Sequence, residues 1–147
     1  MCHRCDYEDL LESRGLEKTT NRLRVLEIVG NSSYPLSAHE IYKTLSRTHD
    51  INRVTVYRIL DLLVEKKLAE RLSADDRSFR YGLAPNENHS PHPHFYCIHC
   101  RNMECLSPES MELNLYDLER TFPGLIQKTE IRFDGICKNC LKNQKRN

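Results

Sequence analysis

Two short motifs, Cys97-Ile-His-Cys100 and Cys137-Lys-Asn-Cys140, carry the clearest chemistry in this sequence. A gap of two residues lets both thiolates of a knuckle face one ion, while the N–H groups of the turn donate to the sulfurs. Two knuckles complete a closed tetrahedral shell of four sulfurs, the usual structural zinc arrangement, with one Zn²⁺ per chain. The other uses of paired cysteines fit less well. A redox C-x-x-C is expected alone, near a βαβ pattern. Iron–sulfur clusters draw on four cysteines at denser spacing. A zinc deaminase needs an upstream H-x-E motif, which the sequence lacks.

A second group of donors lies beside the first knuckle. His92 and His94 alternate along an extended stretch stiffened by Pro91 and Pro93, so their rings point the same way. Cys105 follows five residues after Cys100 and is not needed by the four-sulfur shell. Its thiolate can turn back towards the two imidazoles. A carboxylate, Asp75 or Asp76, or the nearby His89, would complete a mixed shell that favours Zn²⁺ over Mg²⁺ or Mn²⁺. The plainer readings are a Cys105 that is simply a small apolar residue, and His39, His49 and His99 as surface or loop side chains. Cys2 and Cys5 are assigned no role.

These donors need elements to hold them. The chain has 147 residues and a formal net charge of +1, enough for one ordinary domain or two small ones with thin cores that gain from a metal or an oligomer interface. Seven cysteines in a chain that begins without an apolar leader and contains no membrane-length apolar run point to a cytoplasmic metalloprotein without membrane contact, rather than a disulfide scaffold. The first part reads as helices. Thr19 and Thr20 can cap a helix with Leu23, Leu26 and Val29 inside. Ser37 and Glu40 form a capping box ahead of Ile41 and Leu45. Asn52 can cap a helix with Val56, Leu60 and Leu63 on its inner face and Arg53, Tyr57 and Arg58 largely on its outer one. Leu68–Leu72 and Ser78–Leu83 read as a hairpin turning at residues 74–77. Helices followed by a hairpin, with basic residues in excess between Lys43 and Arg71, predict a winged helix-turn-helix over residues 1–83. Residues 84–94 form a Pro-rich hinge. Residues 95–147 form a small α+β unit: strands at Phe95 and Met103, a helix from Ser107 with Met111, Leu115, Leu118 and Phe122 along one face, and a strand from Leu125 to Phe133 with Ile126 and Ile131 in the core.

The stretches TTNRLRVLEIV, LSAHEIYKTL, RVTVYRILDLLVEKKL and HPHFYCIHC…GICKNC, in this order, closely resemble the ferric uptake regulator family over nearly the whole chain. The resemblance implies a dimeric, metal-dependent transcription regulator. Its N-terminal winged helix would bind palindromic operator DNA. Its C-terminal domain would dimerise, and metal at the hinge would fix the angle between the DNA-binding domains. By motif, Cys97, Cys100, Cys137 and Cys140 match the structural zinc ligands, and His92 and His94 match the hinge histidines of the sensing site. Two departures bear on the metal. Iron-type members usually carry a histidine just before the SAxxxY helix and a glutamate in the strand before the hinge, where this chain has Pro35 and Gly82. The third site of some members is lost at Thr129, with only Glu112 remaining. Lost oxygen and nitrogen ligands and a gained thiol at Cys105 look like the zinc uptake regulator branch, and so imply a second, regulatory Zn²⁺.

For DNA, Arg53 or Arg58 could pair with guanine, Thr55 sits at the helix start, and Tyr57 could meet a thymine methyl or a phosphate. Lys18, Arg22 and Arg77 suit the phosphate backbone. Three rivals remain: an iron or peroxide sensor of the same family, a zinc hydrolase using His92, His94 and Cys105 with Glu104 as base, and a purely structural two-knuckle module.

Overall fold

The computed structural model describes residues 5–74, 78–110 and 115–145. The chain divides into two compact units, Met1–Pro91 and His92–Asn147.

The first unit starts with a helix that the sequence reading passed over. Asp6 caps α1 (Tyr7–Ser13) by accepting from the Asp9 N–H at 3.1 Å. The signal was there: a capping aspartate and an acidic first turn. This short helix seats Leu11, which is fully buried. The next three helices begin where their caps predicted. Thr19 caps α2 (Thr20–Asn31), Ser37 caps α3 (Ala38–Ser46) and Asn52 caps α4 (Arg53–Glu65), each accepting from the N–H three residues on. Their inner faces supply the core: Val25, Leu26 and Val29 from α2, Ile41 and Leu45 from α3, and Val56, Leu60 and Leu63 from α4.

Lys67, at φ 59°, turns the chain out of α4 into a hairpin of β1 (Ala69–Ser73) and β2 (Phe79–Leu83), paired antiparallel with Ala69 opposite Leu83. Leu36 adds a third, one-residue rung against Tyr81, with both N–H groups donating to the opposite carbonyl at 3.0 and 2.7 Å. Three helices and a short sheet in this order make a winged helix-turn-helix. The expected turn residues Asp75, Asp76 and Arg77 lie outside the described residues. Part of the stretch expected as a hinge belongs to this unit: the Ala84 N–H donates to the Leu68 carbonyl, and Asn86 and His89 bridge each other.

The second unit is a three-stranded sheet in the order β4-β3-β5. Strand β3 (His94–Cys97) lies centrally, antiparallel to β4 (Met103–Cys105) and parallel to β5 (Arg132–Gly135). A 3₁₀ turn (Pro108–Ser110) and α5 (Leu115–Thr121) lie in the crossover between β4 and β5, and α6 (Lys138–Lys145) starts inside the second knuckle and carries Cys140.

Two expectations change here. The strand expected over Leu125–Phe133 is reduced to Arg132–Gly135. These are the residues that pair with His94–Cys97 of β3, which runs forward into the first knuckle. The periodic face of the helix is not buried in the single chain: Leu118 is 53% exposed and Phe122 48%. Ile126 and Ile131 are only half-buried, and Met111 and Glu112 lie outside the described residues.

Candidate metal centres and nucleic-acid interface

The first knuckle is a tight turn. The Arg101 N–H donates to the Cys97 carbonyl, Arg101 takes φ 64°, and the Cys97 N–H reaches the Asn102 carbonyl. Strand pairing holds the knuckle at one end, through the Ile98 N–H and the Gly135 carbonyl at 2.9 Å. At the other end α6 brings in Cys137 and Cys140, with the Leu141 N–H closing on the Cys137 carbonyl. Gln144 of α6 also meets the exposed ring of His99 at 3.2 Å, and His99 is not among the donors gathered with the four sulfurs.

The four thiols of Cys97, Cys100, Cys137 and Cys140 lie within 4.8 Å of one another. Cys97 and Cys140 are 3.8 Å apart, and Cys100 and Cys137 are 3.9 Å apart. A regular tetrahedron with Zn–S bonds of about 2.3 Å has S···S edges of about 3.8 Å. The quartet therefore fits one zinc ion and is too tight to enclose a multi-iron cluster.

The backbone prepares this shell for anionic sulfur. Burial alone raises the Cys97 thiol. The N–H groups of Cys100, Cys137 and His99 outweigh that and bring it down to about 6; the Cys137 N–H donates to the Cys97 sulfur at 3.4 Å. Cys140 is pushed up to about 12, first by its bond with the Cys137 sulfur and then by burial. At Cys100 the Asn102 N–H lowers the thiol, but burial and the bonds with Cys97 and Cys137 win and raise it. Crowded sulfurs share one negative charge poorly, and a divalent cation removes that conflict.

The second group forms by strand register. His94 and Cys105 are directly opposite on β3 and β4, so their side chains share a face at the close spacing of cross-strand neighbours. His92 lies two residues before His94 and falls on the same face. Its ring centroid is 4.6 Å from that of His94, tilted by 53°. One donor atom from each of His92, His94 and Cys105 lies within 4.8 Å of the others. Two imidazoles and a thiol at this separation fit one ion with a position left over.

Of the other residues expected here, His89 belongs to the first unit and Asp76 lies outside the described residues, so neither is placed against this group. Glu104 pairs with Phe95 and points to the opposite face from Cys105. A neighbour not anticipated from sequence is Arg132, which pairs with His94 on the far side of β3 and is held bidentately by Asp134 at 2.7 and 3.0 Å. The alternation of charged residues at 130, 132 and 134 was its signal.

On the winged-helix unit, Arg53, Tyr57 and Arg58 are exposed on α4. The Arg53 guanidinium lies over the Tyr42 ring, 5.3 Å from its centroid, a platform the sequence reading missed although the aromatic of SAHEIY supplies it. Thr55 serves the helix cap: its N–H and hydroxyl both donate to the Asn52 side-chain oxygen, at 2.8 and 2.9 Å. Lys18 pairs with Glu12 at 3.8 Å, and Arg22 donates to the Glu17 carbonyl at 3.1 Å. Arg77 lies outside the described residues.

This combination of parts can be set against known proteins. The ferric uptake regulator family matches residues 13–121. The chain belongs to the ferric uptake regulator family. Among its relatives, a ferric uptake regulation protein of Haemophilus influenzae is 32% identical over 132 residues, 88% of either chain. The solved structure of the Vibrio cholerae ferric uptake regulator gives a TM-score of 0.71 at 23% identity, covering 90% of this chain and 100% of that one. A zinc uptake regulator solved with zinc and DNA gives a TM-score of 0.66 at 23% identity, over 94% of this chain and 92% of that one. At these identities the structural likeness is one of fold. The family match ends before Cys137 and Cys140, so the second knuckle rests on its own geometry.

Proposed function

We propose that this family member is a zinc-responsive, DNA-binding transcription regulator that acts as a homodimer and represses metal-uptake genes when its second site is loaded. Cys97, Cys100, Cys137 and Cys140 hold the structural zinc. His92, His94 and Cys105 form the sensing site. The observation that carries the reading is the convergence of these three donors, a thiol among them, on a face separate from the tetrathiolate. A soft ligand beside two imidazoles favours Zn²⁺ over Fe²⁺ or Mn²⁺. It also argues against a peroxide sensor, which needs iron held by histidines and carboxylates. The hydrolase reading loses its base, because Glu104 lies on the other face of the sheet.

His92 is the first residue of the second unit. Pinning it to His94 and Cys105 fixes the point from which the chain leads to the DNA-binding unit, an ordering that favours a subset of conformations. Driving such a population from mostly open to mostly closed takes a differential affinity of about 5.5 kcal/mol. Structural zinc binding reaches about 10–16 kcal/mol, so a site of this kind has ample range. Arg53, Tyr57 and Arg58 read or grip the duplex, and two-fold symmetry of the dimer calls for a palindromic operator. Dimerisation is supported by the apolar surface of the second unit, where Tyr116, Leu118, Phe122, Leu125 and Phe133 are all exposed.

The test is Cys105→Ser. It should keep one zinc per chain by elemental analysis and lose zinc-dependent binding to the operator. Unchanged zinc-dependent DNA affinity would reject the assignment.

A further inference from the structure

We propose that Val54 selects thymine, by seating its side chain against the 5-methyl group of that base in the major groove; this rests on the DNA-binding reading above. In a helix-turn-helix the second helix enters the groove, and its N-terminal residues meet the base edges. Here that helix is α4, which begins at Arg53. Val54 is its second residue and precedes Tyr57 by three positions and Arg58 by four, so the three side chains share one face. That face is the outward one. Tyr57 and Arg58 are exposed on it, whereas Val56, Leu60 and Leu63 are buried on the other side.

Val54 is 56% exposed and takes no part in the core. The other large apolar side chains exposed on the described part of the first unit are aromatic: Tyr34, Tyr57 and Phe79. A β-branched side chain loses rotamer freedom in a helix. Here it recovers nothing by burial, so local folding does not account for it. Its neighbours in the first turn have other tasks. The Thr55 hydroxyl is turned to the cap at 2.9 Å, and the Arg53 guanidinium lies over Tyr42. An isopropyl group offers no hydrogen bond, so a base edge that presents only donors and acceptors gains nothing from it. Among the four bases, thymine alone carries a methyl group in the major groove. Val54 thus supplies a preference that the arginines beside it cannot, since a guanidinium favours guanine.

The experiment selects duplexes from a library of inverted repeats with randomised half-sites, using the zinc-loaded full chain. Each thymine of the selected duplex is then replaced by deoxyuridine in one half-site at a time, which removes only the methyl group. At one thymine the unsubstituted chain should lose affinity by roughly fourfold, the value of one buried methyl. Val54→Ala should bind the thymine duplex more weakly by roughly the same factor per half-site and should no longer distinguish it from the deoxyuridine duplex. Its slope of log affinity against log salt should be unchanged, because no phosphate contact is lost. Alanine is the better helix former, so the variant folds. Undiminished discrimination in Val54→Ala overturns the proposal. So does a loss that is equal on both duplexes, which marks a purely structural effect, and so does an unsubstituted chain indifferent to every methyl. Failure of the DNA-binding reading is distinct and takes the proposal with it: the unsubstituted chain would enrich no duplex at all.

Discussion

At the level of single residues, the sulfurs set the chemistry of metal uptake. Cys100 and Cys140 are held above the ordinary thiol range, so both are protonated at neutral pH, whereas Cys97, at about 6, is already a thiolate. Loading zinc must therefore expel the Cys100 and Cys140 protons. We expect the calorimetric enthalpy of zinc binding to change with the ionisation enthalpy of the buffer. On acidification the metal competes with protons for all four sulfurs, so zinc is lost as pH falls and retained as it rises. Residue-scale logic also separates the outward side chains of α4. Arg58→Ala should lower the slope of log affinity for DNA against log salt by about 0.9 if it meets a phosphate. If it pairs with a guanine, the loss should be concentrated at one base pair and amount to about 1–3 kcal/mol.

The elements show why some of this was legible in the sequence and some was not. Caps and periodicity placed α2, α3 and α4 because Thr19, Ser37 and Asn52 act on N–H groups only three residues away, and a local cause leaves a local trace. Removing one such cap should be felt locally too: Asn52→Ala should destabilise the first unit by about 1 kcal/mol, read as a lowered thermal midpoint. It should also release Thr55 at the start of α4. The C-x-x-C spacing is equally local, and the knuckles were readable. Register is not local. The return of Cys105 towards His92 and His94 could be expected from its place just after the knuckle, but that Arg132 flanks His94 depends on the pairing of β3 with β5, which spacing along the chain does not encode. Strand β5 was overextended because its apolar residues suggested a long strand, whereas its length is set by the four residues of β3 that it pairs with. Helix α1 was missed because a seven-residue helix has too few turns for its apolar period to stand out.

For the whole molecule, the periodic face that includes Leu118 and Phe122 takes its meaning from assembly. Leu118, Phe122 and Leu125 are exposed in the single chain, Leu125 by 81%, because the surface that buries them lies on another copy in our reading. Leu125→Glu should give a folded, zinc-containing monomer by sedimentation, with DNA binding reduced to that of one half-site. Strand β3 links the two metal centres of the second unit. It begins at His94 and ends at Cys97, so a candidate ligand of one centre and a candidate ligand of the other sit three positions apart on a single short rod. On the zinc-sensor reading proposed above, loosening the sulfur cage should also unseat the imidazole at the opposite tip. Such a detector would report abundance only after scarcity had been relieved at its own scaffold, and a cell starved hard enough to strip the cage would find its gauge dismantled rather than merely reading zero.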